Sequence, residues 1–399
     1  MRTSEQEFIV IRGMGSVSGL GCSSSEVKET LASGKTTFSP FSATDPSPVS
    51  RISSSGEASI HALVQENPVY GTLDRSVQLA MVAARQALQE TNWTSADLED
   101  MGVNIGSSRG ATGMFEQYHQ EYLLNPTGRL SPAASPNTTL GNVASWVAQD
   151  LQAAGPVISH SVTCSTAIQA FANGVAWLKS GLAKRFMVGG TEAPLTPFTV
   201  AQMKAIGIYS TLSADNNPCR PLNSEGLNTF VLGEGAAVFA LERMTLSEMK
   251  TLNQPQVLVV SAVGLGFEKV PSKTGLTPDG QHFQKAMQAA LAQANLGPQH
   301  IQGILVHAPG TKAGDAAEME ALHQVFGNSL PTLHTVKNQI GHTLGASGAL
   351  SVMAACHLLG VENLTSNSGR AKSKQHFLVN AAGFGGNCAS ILLSHLVSE

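Results

Sequence analysis

Charged residues are scarce in this sequence of 399 residues. Asp, Glu, Lys and Arg make up 13% of it, against about 25% in ordinary soluble proteins. Together with 39 glycines and 42% hydrophobic residues, this shortage indicates an interior-rich enzyme that buries further surface in an oligomer. The formal net charge of -4 argues against nucleic acid or an anionic membrane as the main partner.

Cysteines and long apolar runs are also few. The five cysteines are odd in number and widely scattered, at Cys22, Cys164, Cys219, Cys356 and Cys388. This pattern fits neither a disulfide framework nor a zinc site, so we expect a reducing, cytoplasmic compartment and no bound metal. Residues 1–7 contain two acids and no apolar run, which is not typical of a signal peptide, and no stretch approaches the apolar length of a membrane span.

Patterns typical of strands and helices alternate along the chain. Predicted strands cover residues 8–11, 103–106, 156–159, 185–190, 236–241, 256–260, 301–306, 332–336, 377–380 and 390–393. Predicted helices cover residues 23–32, 73–88, 139–151, 167–178, 283–294, 316–326 and 347–359. Residues 36–70, rich in Ser and Pro, are predicted to form an irregular surface excursion, with disorder as the alternative.

The order of these elements restarts after Ser247, which predicts an internal duplication. Both halves share the order strand, helix, strand, polar turn, Ala-rich helix and two strands. The seam lies near residue 250, which gives a first half of residues 1–250 and a second half of residues 251–399. Strands that alternate with helices predict parallel sheets covered by helices, with ligands at the strand carboxyl ends near the seam.

Cys164 is the candidate nucleophile. It lies between the predicted strand 156–159 and the predicted helix 167–178, and therefore at a helix N-terminus. There the unpaired N–H groups and the helix dipole favour the thiolate, which predicts a pKa below the usual value of about 8.5. Such a cysteine can act as a nucleophile if acid-base or electrostatic partners lie nearby, whereas a buried cysteine alone is more often inert packing.

Two histidines lie at corresponding places of the second half. His307 directly follows one predicted strand and His342 follows another, and glycines after each let a ligand approach the backbone. A lone histidine at a strand end is usually structural or solvated, but two of them together with Cys164 favour a catalytic site. By contrast, we expect Arg109 and His119 to be solvated surface residues.

The glycine-rich turn of residues 383–386 follows a strand and is the last candidate element. Its backbone N–H groups could form an oxyanion hole, with Phe384 as a hydrophobic gate. The alternative is an ordinary glycine turn beside a core aromatic side chain.

Several short motifs occur together in one order. They are Val162-Thr163-Cys164-Ser165, Cys219-Arg220-Pro221, Gly233-Glu234-Gly235-Ala236, His307 with Gly314-Asp315 and Glu318, Lys337 with Gly341-His342, and Gly383-Phe384-Gly385-Gly386. Through them the chain resembles, over nearly its full length, the elongating β-ketoacyl-acyl carrier protein synthases of the thiolase superfamily. The resemblance implies a duplicated, thiolase-like α/β fold, with two mixed sheets sandwiched by and covered with helices in αβαβα layers.

The resemblance also implies a decarboxylative condensation and assigns roles in it. Cys164 would take an acyl group from the phosphopantetheine of acyl carrier protein, with the N–H groups of Cys164 and Phe384 as oxyanion hole. His307 and His342 would donate hydrogen bonds to the malonyl thioester carbonyl, and Lys337 would hold local charge. The residues implied in substrate binding are Thr274, Thr311, Gly383 and Gly385, and those implied in orienting the histidine loops are Asp315 and Glu318.

The implied partners are acyl carrier protein and a second subunit that docks through the first half. This subunit is either an identical chain or a relative of chain-length factors. No cofactor of the chain's own is implied, since carrier phosphopantetheine holds the substrates. Residues 107–114 and 134–137 are expected to line an acyl tunnel at the dimer interface. Arg129 or Lys204 could dock the acidic carrier, although each alone is more simply an ordinary solvated charge.

The sequence departs from the family pattern at several positions. Pro309 stands where a pantetheine-contacting hydroxyl is usual, and Ser351 stands where the acidic partner of Lys337 is usual. Residues 222–229 lack the usual Arg-Asp-Gly, and Asn387-Cys388 replaces the more usual Thr-Asn. These departures favour a specialised polyketide, polyene or aryl-polyene ketosynthase over housekeeping fatty-acid elongation.

Three other functions compete with this hypothesis. A non-catalytic partner like a chain-length factor would lack Cys164. A degradative thiolase is disfavoured, because the pair of histidines suits decarboxylative condensation. A serine hydrolase would need a Gly-x-Ser-x-Gly elbow, which Ser161 and Ser165 do not provide.

Overall fold

The computed structural model describes residues 5–140, 142–252, 256–270, 275–365 and 375–397. The strands are β1 (Glu7–Ser18), β2 (Phe38–Pro40), β3 (Pro48–Ser50), β4 (Gly102–Gly106), β5 (Val157–Ile158), β6 (Arg185–Glu192), β7 (Leu232–Gly233), β8 (Gly235–Thr245), β9 (Gln256–Phe267), β10 (Gly303–Leu305), β11 (Thr332–His334), β12 (Gln375–Gly383) and β13 (Asn387–Val397).

The α-helices are numbered separately, also in chain order. They are α1 (Ser24–Ser33), α2 (Ser54–Glu66), α3 (Arg75–Gln89), α4 (Ser95–Leu98), α5 (Thr112–Leu124), α6 (Ala134–Thr138), α7 (Asn142–Leu151), α8 (Thr166–Ser180), α9 (Pro197–Ala205), α10 (Leu246–Lys250), α11 (Gln281–Ala294), α12 (Lys312–Phe326), α13 (Lys337–Ile340) and α14 (Ser347–Thr365). Short 3₁₀ helices cover Pro68–Thr72, Pro298–His300 and Leu344–Ala346.

The main sheet consists of two five-stranded mixed halves with the same topology. The first has the order β1-β8-β6-β4-β5 and the second the order β9-β13-β12-β10-β11. In each half the first three strands are antiparallel neighbours and the last three are parallel neighbours. The halves meet where β1 pairs with β9, at the single register position Val10 and Val259. The repeated order is what a duplicated fold predicts.

Helices cover and separate the two halves in five layers. α3 and α7 pack on the outer face of the first half, and α11 and α12 pack on the outer face of the second. α8 and α14 lie between the halves and contact strands of both. Their side chains, such as Phe171 and Leu350, share one buried cluster with Phe186 and Phe377 of the sheet. The predicted αβαβα arrangement is therefore confirmed.

Glycines in β9 bring α11 unusually close to the sheet. A methyl group at Gly264 would overlap the carbonyl oxygen of Ala286, and one at Gly266 would overlap that of His282. Only glycine permits this approach. The first turn of α11 is consequently held against the carboxyl end of β9.

The prediction for residues 36–70 was wrong. This segment contains β2, β3, α2 and a 3₁₀ helix rather than an irregular excursion. β3 pairs with β7, which fully buries Val49, and Ser53 caps α2 by accepting the N–H of Gly56. Strands of three residues are too short to show a period in the sequence. Across the residues that the structure describes, no helix is long and apolar enough to cross a membrane.

Candidate active site

Carboxyl ends of strands from both halves converge on a cavity of about 580 Å³. Cys164 enters its wall from the first half, and His307 and His342 enter from the second. The remaining wall is mostly apolar, with Met203, Ile206, Ile208, Phe230, Leu276, Phe283, Leu344 and Phe384 among its side chains. The structure therefore brings together the three residues that the sequence singled out.

A strained loop presents Cys164 directly before α8. Thr163 adopts a positive φ of 52°, a conformation that is uncommon for a residue with a side chain. The N–H of Ser165 donates back to the carbonyl of Val162 over 3.3 Å, which closes the turn. The Cys164 side chain is buried, and the turn at Gly383 packs against its backbone nitrogen.

The predicted low pKa of Cys164 was wrong. Burial raises the pKa of this thiol to about 12; the charge of Glu192 raises it further, whereas that of Lys337 lowers it. Removing a thiolate from water thus outweighs the favourable position at the helix start. The free chain holds a protonated thiol, so attack on a thioester must be accompanied by loss of the thiol proton.

Glu192 is a site residue that sequence reasoning missed. It ends β6, is fully buried, and accepts hydrogen bonds from Ser107 Oγ and from the backbone N–H groups of Ser108, Arg109 and Gly345, over 2.8 to 3.1 Å. Burial raises its pKa to about 7, against the opposing effect of these hydrogen bonds. The signal in the sequence is an acidic residue, Glu192, at the end of the mostly apolar and glycine-containing strand β6.

His307 and His342 pack edge to face on the cavity wall. Their ring centroids lie 5.3 Å apart and the planes meet at 80°. Burial lowers the pKa of both rings well below the usual value, and the charge of Lys337 lowers both further. Both imidazoles are therefore neutral near pH 7. Within the described part of the chain, Nδ1 of each ring is buried without a hydrogen-bond partner.

Two buried carboxylates fix the loop that carries His307. Glu318 accepts the backbone N–H groups of His307 and Ala308, over 2.8 and 2.6 Å. Asp315 accepts those of Gly310 and Thr311, each over 3.1 Å, and that of Leu222 over 2.6 Å. Both acids lie on α12, so this helix orients the histidine loop.

Lys337 begins α13 and is almost fully buried behind the cavity wall. Burial lowers the pKa of Lys337, while the nearby charges of Glu318 and Asp315 raise it. Ser351, at the position of the missing acid, lies buried in α14. Glu318 is the residue whose charge most favours the ammonium form of Lys337.

The remaining predicted substrate contacts divide into three groups. Thr311 and Gly383 lie on the cavity wall, and Thr311 also caps α12 by accepting the N–H of Gly314. Gly385 lies in the adjoining turn with a φ of 92°. Thr274 lies outside the described residues.

A solvated surface was the simplest interpretation of both Arg109 and His119; His119 is exposed, whereas Arg109 is not. The Arg109 side chain is half-buried and donates to Gln202 of α9. Its Nε is buried and has no hydrogen-bond partner in the part of the chain that is described. The position of the loop beside Glu192 explains the burial, which a polar sequence segment does not reveal.

A buried cysteine at a helix start and two neutral histidines in a duplicated αβαβα fold agree with the resemblance to condensing enzymes of the thiolase superfamily. The profile of the beta-ketoacyl synthase N-terminal domain matches residues 6–246, and that of the C-terminal domain matches residues 258–367. The chain belongs to the beta-ketoacyl synthase family.

Individual relatives agree with this family. The 3-oxoacyl-(acyl-carrier-protein) synthase 2 of Staphylococcus aureus (strain N315) is 29% identical over 88% of this chain and 85% of its own length. The enzyme of the same name from Coxiella burnetii is 27% identical over 98% of this chain and 99% of its own.

Solved structures show the same fold. A type II polyketide ketosynthase complex with its acyl-carrier protein, AntDE:AntF, superposes with a TM-score of 0.82 at 19% identity, over 97% of this chain and 99% of that one. The ketosynthase ApeO in complex with its chain length factor ApeC, from Xenorhabdus doucetiae, gives a TM-score of 0.77 at 22% identity, over 97% and 98%.

Proposed function

We propose that this chain condenses an acyl group bound to Cys164 with malonyl-acyl carrier protein, releasing carbon dioxide and a β-ketoacyl-acyl carrier protein. The observation that carries the proposal is the single cavity shared by Cys164, His307 and His342. In this scheme the half up to residue 250 supplies the nucleophile and the half from residue 251 supplies the histidines. Relatives named as acyl-carrier-protein synthases support the choice of carrier.

The first half-reaction transfers the acyl group to sulfur. The Cys164 thiol loses its proton as the sulfur attacks the acyl thioester, and the carrier thiol leaves. The N–H groups of Cys164 and Phe384 stabilise the oxyanion of the tetrahedral intermediate. The packing of Gly383 against the Cys164 nitrogen supports this pairing.

The second half-reaction forms the carbon–carbon bond. Neutral His307 and His342 donate hydrogen bonds to the malonyl thioester oxygen, where negative charge develops as carbon dioxide leaves. The resulting carbanion attacks the carbonyl carbon of the Cys164 thioester, the carbon–sulfur bond breaks, and Cys164 leaves as a thiolate that takes up a proton from solvent. Lys337 stabilises the charge of this region without touching the reacting atoms, while Thr311 and the turn of Gly383 and Gly385 hold the pantetheine arm, together with Thr274.

We place the reaction in a specialised polyketide, polyene or aryl-polyene pathway. Ser351 and Pro309 are the departures that support this choice, and the partner is a second copy or a chain-length-factor-like subunit. The enzyme uses no cofactor of its own. All five cysteines are buried and free, which supports a cytoplasmic location. Of the candidate carrier contacts, Arg129 is exposed, whereas Lys204 pairs with Asp45 over 2.8 Å.

Intact-protein mass spectrometry with a panel of acyl-carrier thioesters tests the proposal. We expect one acyl adduct on the parent, none on Cys164→Ala, and an unchanged adduct on the control Cys356→Ala, whose thiol is buried in α14. Preference for one kind of chain would identify the pathway. If no thioester acylates the parent, either alone or with a partner subunit, the result would favour a non-catalytic subunit similar to a chain-length factor.

A further inference from the structure

A third histidine, which the proposed mechanism does not use, lies on the same cavity wall. His282 is the second residue of α11 and is 3% exposed. Its ring packs against Phe283, which in turn packs against His307, with centroid distances of 4.5 and 6.2 Å. Nδ1 of His282 lies 3.1 Å from a carboxylate oxygen of Glu268, which is 2% exposed.

The local fold holds this histidine–carboxylate pair in place. Glu268 directly follows β9, and its carboxylate accepts the N–H and the hydroxyl of Thr277, over 2.8 and 2.7 Å, and the backbone N–H of His282 over 3.1 Å. The N–H of Glu268 donates to the carbonyl of Gly386 over 3.0 Å. The pair therefore adjoins the turn that carries Phe384.

The carboxylate determines which ring nitrogen of His282 carries the proton. Burial raises the pKa of Glu268, but hydrogen bonds from Thr277 and from the backbone N–H of His282 lower it, and the net pKa lies below the usual value, so the group is ionised. Burial lowers the pKa of His282 despite the charge of Glu268, so the ring is neutral. Nδ1 lies 3.1 Å from this carboxylate but is not aligned for a hydrogen bond with it. A lone pair on Nδ1 would face the negative charge, so the proton of the neutral ring lies on Nδ1 and Nε2 carries a lone pair.

A hydrogen-bond acceptor on this mostly apolar wall requires a donor from the substrate. Acyl thioesters and the malonyl carboxylate offer only acceptors, whereas the pantetheine arm carries amide N–H groups. We propose that Nε2 of His282 accepts a hydrogen bond from an amide N–H of the thioester arm, which makes His282 a substrate-binding residue. This role rests on the proposed function, and it supplies a polar contact where Pro309 offers no hydroxyl.

Equilibrium binding to the Cys164→Ala chain tests this role without chemistry. The probes are pantetheine and a thiol of matched length in which methylene groups replace both amides, measured by calorimetry. One hydrogen bond is worth a factor of about five in affinity. We therefore expect His282→Phe to weaken pantetheine binding about fivefold and to leave the amide-free thiol unchanged, and His282→Gln, which keeps an acceptor oxygen, to restore most of the loss.

Two further measurements make the result decisive. The matched control His357→Phe, a buried histidine of α14 outside the cavity wall, should bind both probes like the parent. The ¹⁵N shifts of the His282 ring should report a proton on Nδ1. Unchanged pantetheine binding in His282→Phe, or an equal loss for both probes, would overturn the inference. A doubly protonated, positively charged His282 ring would also overturn the inference, because such a ring would instead bind the malonyl carboxylate.

The outcome is separable from that of the proposed function. The binding comparison lacks the Cys164 thiol and needs no turnover. Absence of any acyl adduct on the parent would overturn the proposed condensation. The contact between His282 and the pantetheine arm would still be decided by the binding measurements alone.

Discussion

The buried thiol of Cys164 lies on the cavity wall near one negative and one positive side chain. Glu192 disfavours the thiolate and Lys337 favours it, but burial is the largest influence and raises the pKa to about 12. Below its pKa an acid gains about tenfold in ionised fraction for each pH unit. The reactivity of Cys164 toward an alkylating agent should report this fraction, since the thiolate is the nucleophile.

We predict that alkylation of Cys164 by iodoacetamide accelerates about tenfold per pH unit from about pH 7 to about pH 9.5, without a plateau. Peptide mass spectrometry separates Cys164 from the other buried thiols. A plateau near pH 8 would show that the helix N-terminus outweighs burial. Glu192→Gln, which removes the nearby negative charge, should raise the rate at fixed pH by roughly threefold to tenfold, provided that its melting curve shows a folded chain.

At this scale the sequence revealed the identities of the reacting groups better than their charge states. Cys164, His307 and His342 follow strands and precede helices or glycines, which local patterns show. The pKa of Cys164 depends instead on its burial and on the nearby charges of Glu192 and Lys337, which only the folded chain brings together. Neither the burial of Arg109 nor the pairing of His282 with Glu268 has a signal in local sequence.

The turn at the end of β12 controls the geometry of the nucleophile loop. A methyl group at Gly383 would overlap Oγ1 of Thr163, whose backbone already has a positive φ. Thr163 must shift to relieve this overlap, and the backbone nitrogen of Cys164, only 3.0 Å from the same methyl position, leaves the nucleophile loop little room to do so without moving. Shifts of about 1 Å at a reacting group lower rates by about a hundredfold.

We therefore predict that Gly383→Ala lowers the rate of Cys164 acylation by about a hundredfold. The rate is measured by mass spectrometry against time, with a melting curve to show that the chain remains folded. Gly360→Ala is the matched control, because Gly360 lies within α14 with no atom near its methyl position. That control should acylate normally and gain about 0.5–1 kcal/mol in stability. Normal acylation of Gly383→Ala would contradict the proposed role of the turn.

Most elements were predictable because their patterns are long. α3, α8, α11 and α14 each run for at least three turns with an apolar side, and the core strands read as unbroken apolar runs. β10 and β11 end earlier than predicted, since the chain leaves the sheet to place His307 and Lys337. The region of β2, β3 and α2 was missed, because strands of three residues show no period and β3 also pairs with β7, which is distant in sequence.

At the scale of the whole molecule, the duplication explains why one site draws on both halves. Cys164 follows β5 of the first half, and His307 and His342 follow β10 and β11 of the second; β5 and β11 have equivalent places in the strand order, and β10 is the neighbour of β11. The cysteine of one half and the histidines of the other can then share a cavity. The sequence predicted this duplication from the repeated order of elements, but not the contact between β1 and β9, which depends on how the halves dock.

The edge of the main sheet in the first half is exposed. β5 forms the edge of the first half, and its Val157 is 43% exposed. Other apolar side chains of this half are also exposed, namely Phe115, Leu123, Leu124 and Phe198. An exposed edge strand with apolar neighbours is a template for pairing with another chain. A dimer through the first half, as the sequence led us to expect, would cover this edge.

We predict that the chain is a dimer in solution, with twice the 41.6 kDa mass of the single chain, and that Val157→Lys shifts it toward the monomer. A charged side chain on an edge strand opposes pairing with a second edge. Light scattering after size-exclusion chromatography measures the mass. Thr332→Lys places the same charge on β11, the opposite edge strand, and should leave the dimer intact. The reverse pattern, with only Thr332→Lys monomeric, would place the interface in the second half and leave the edge at β5 open to another partner.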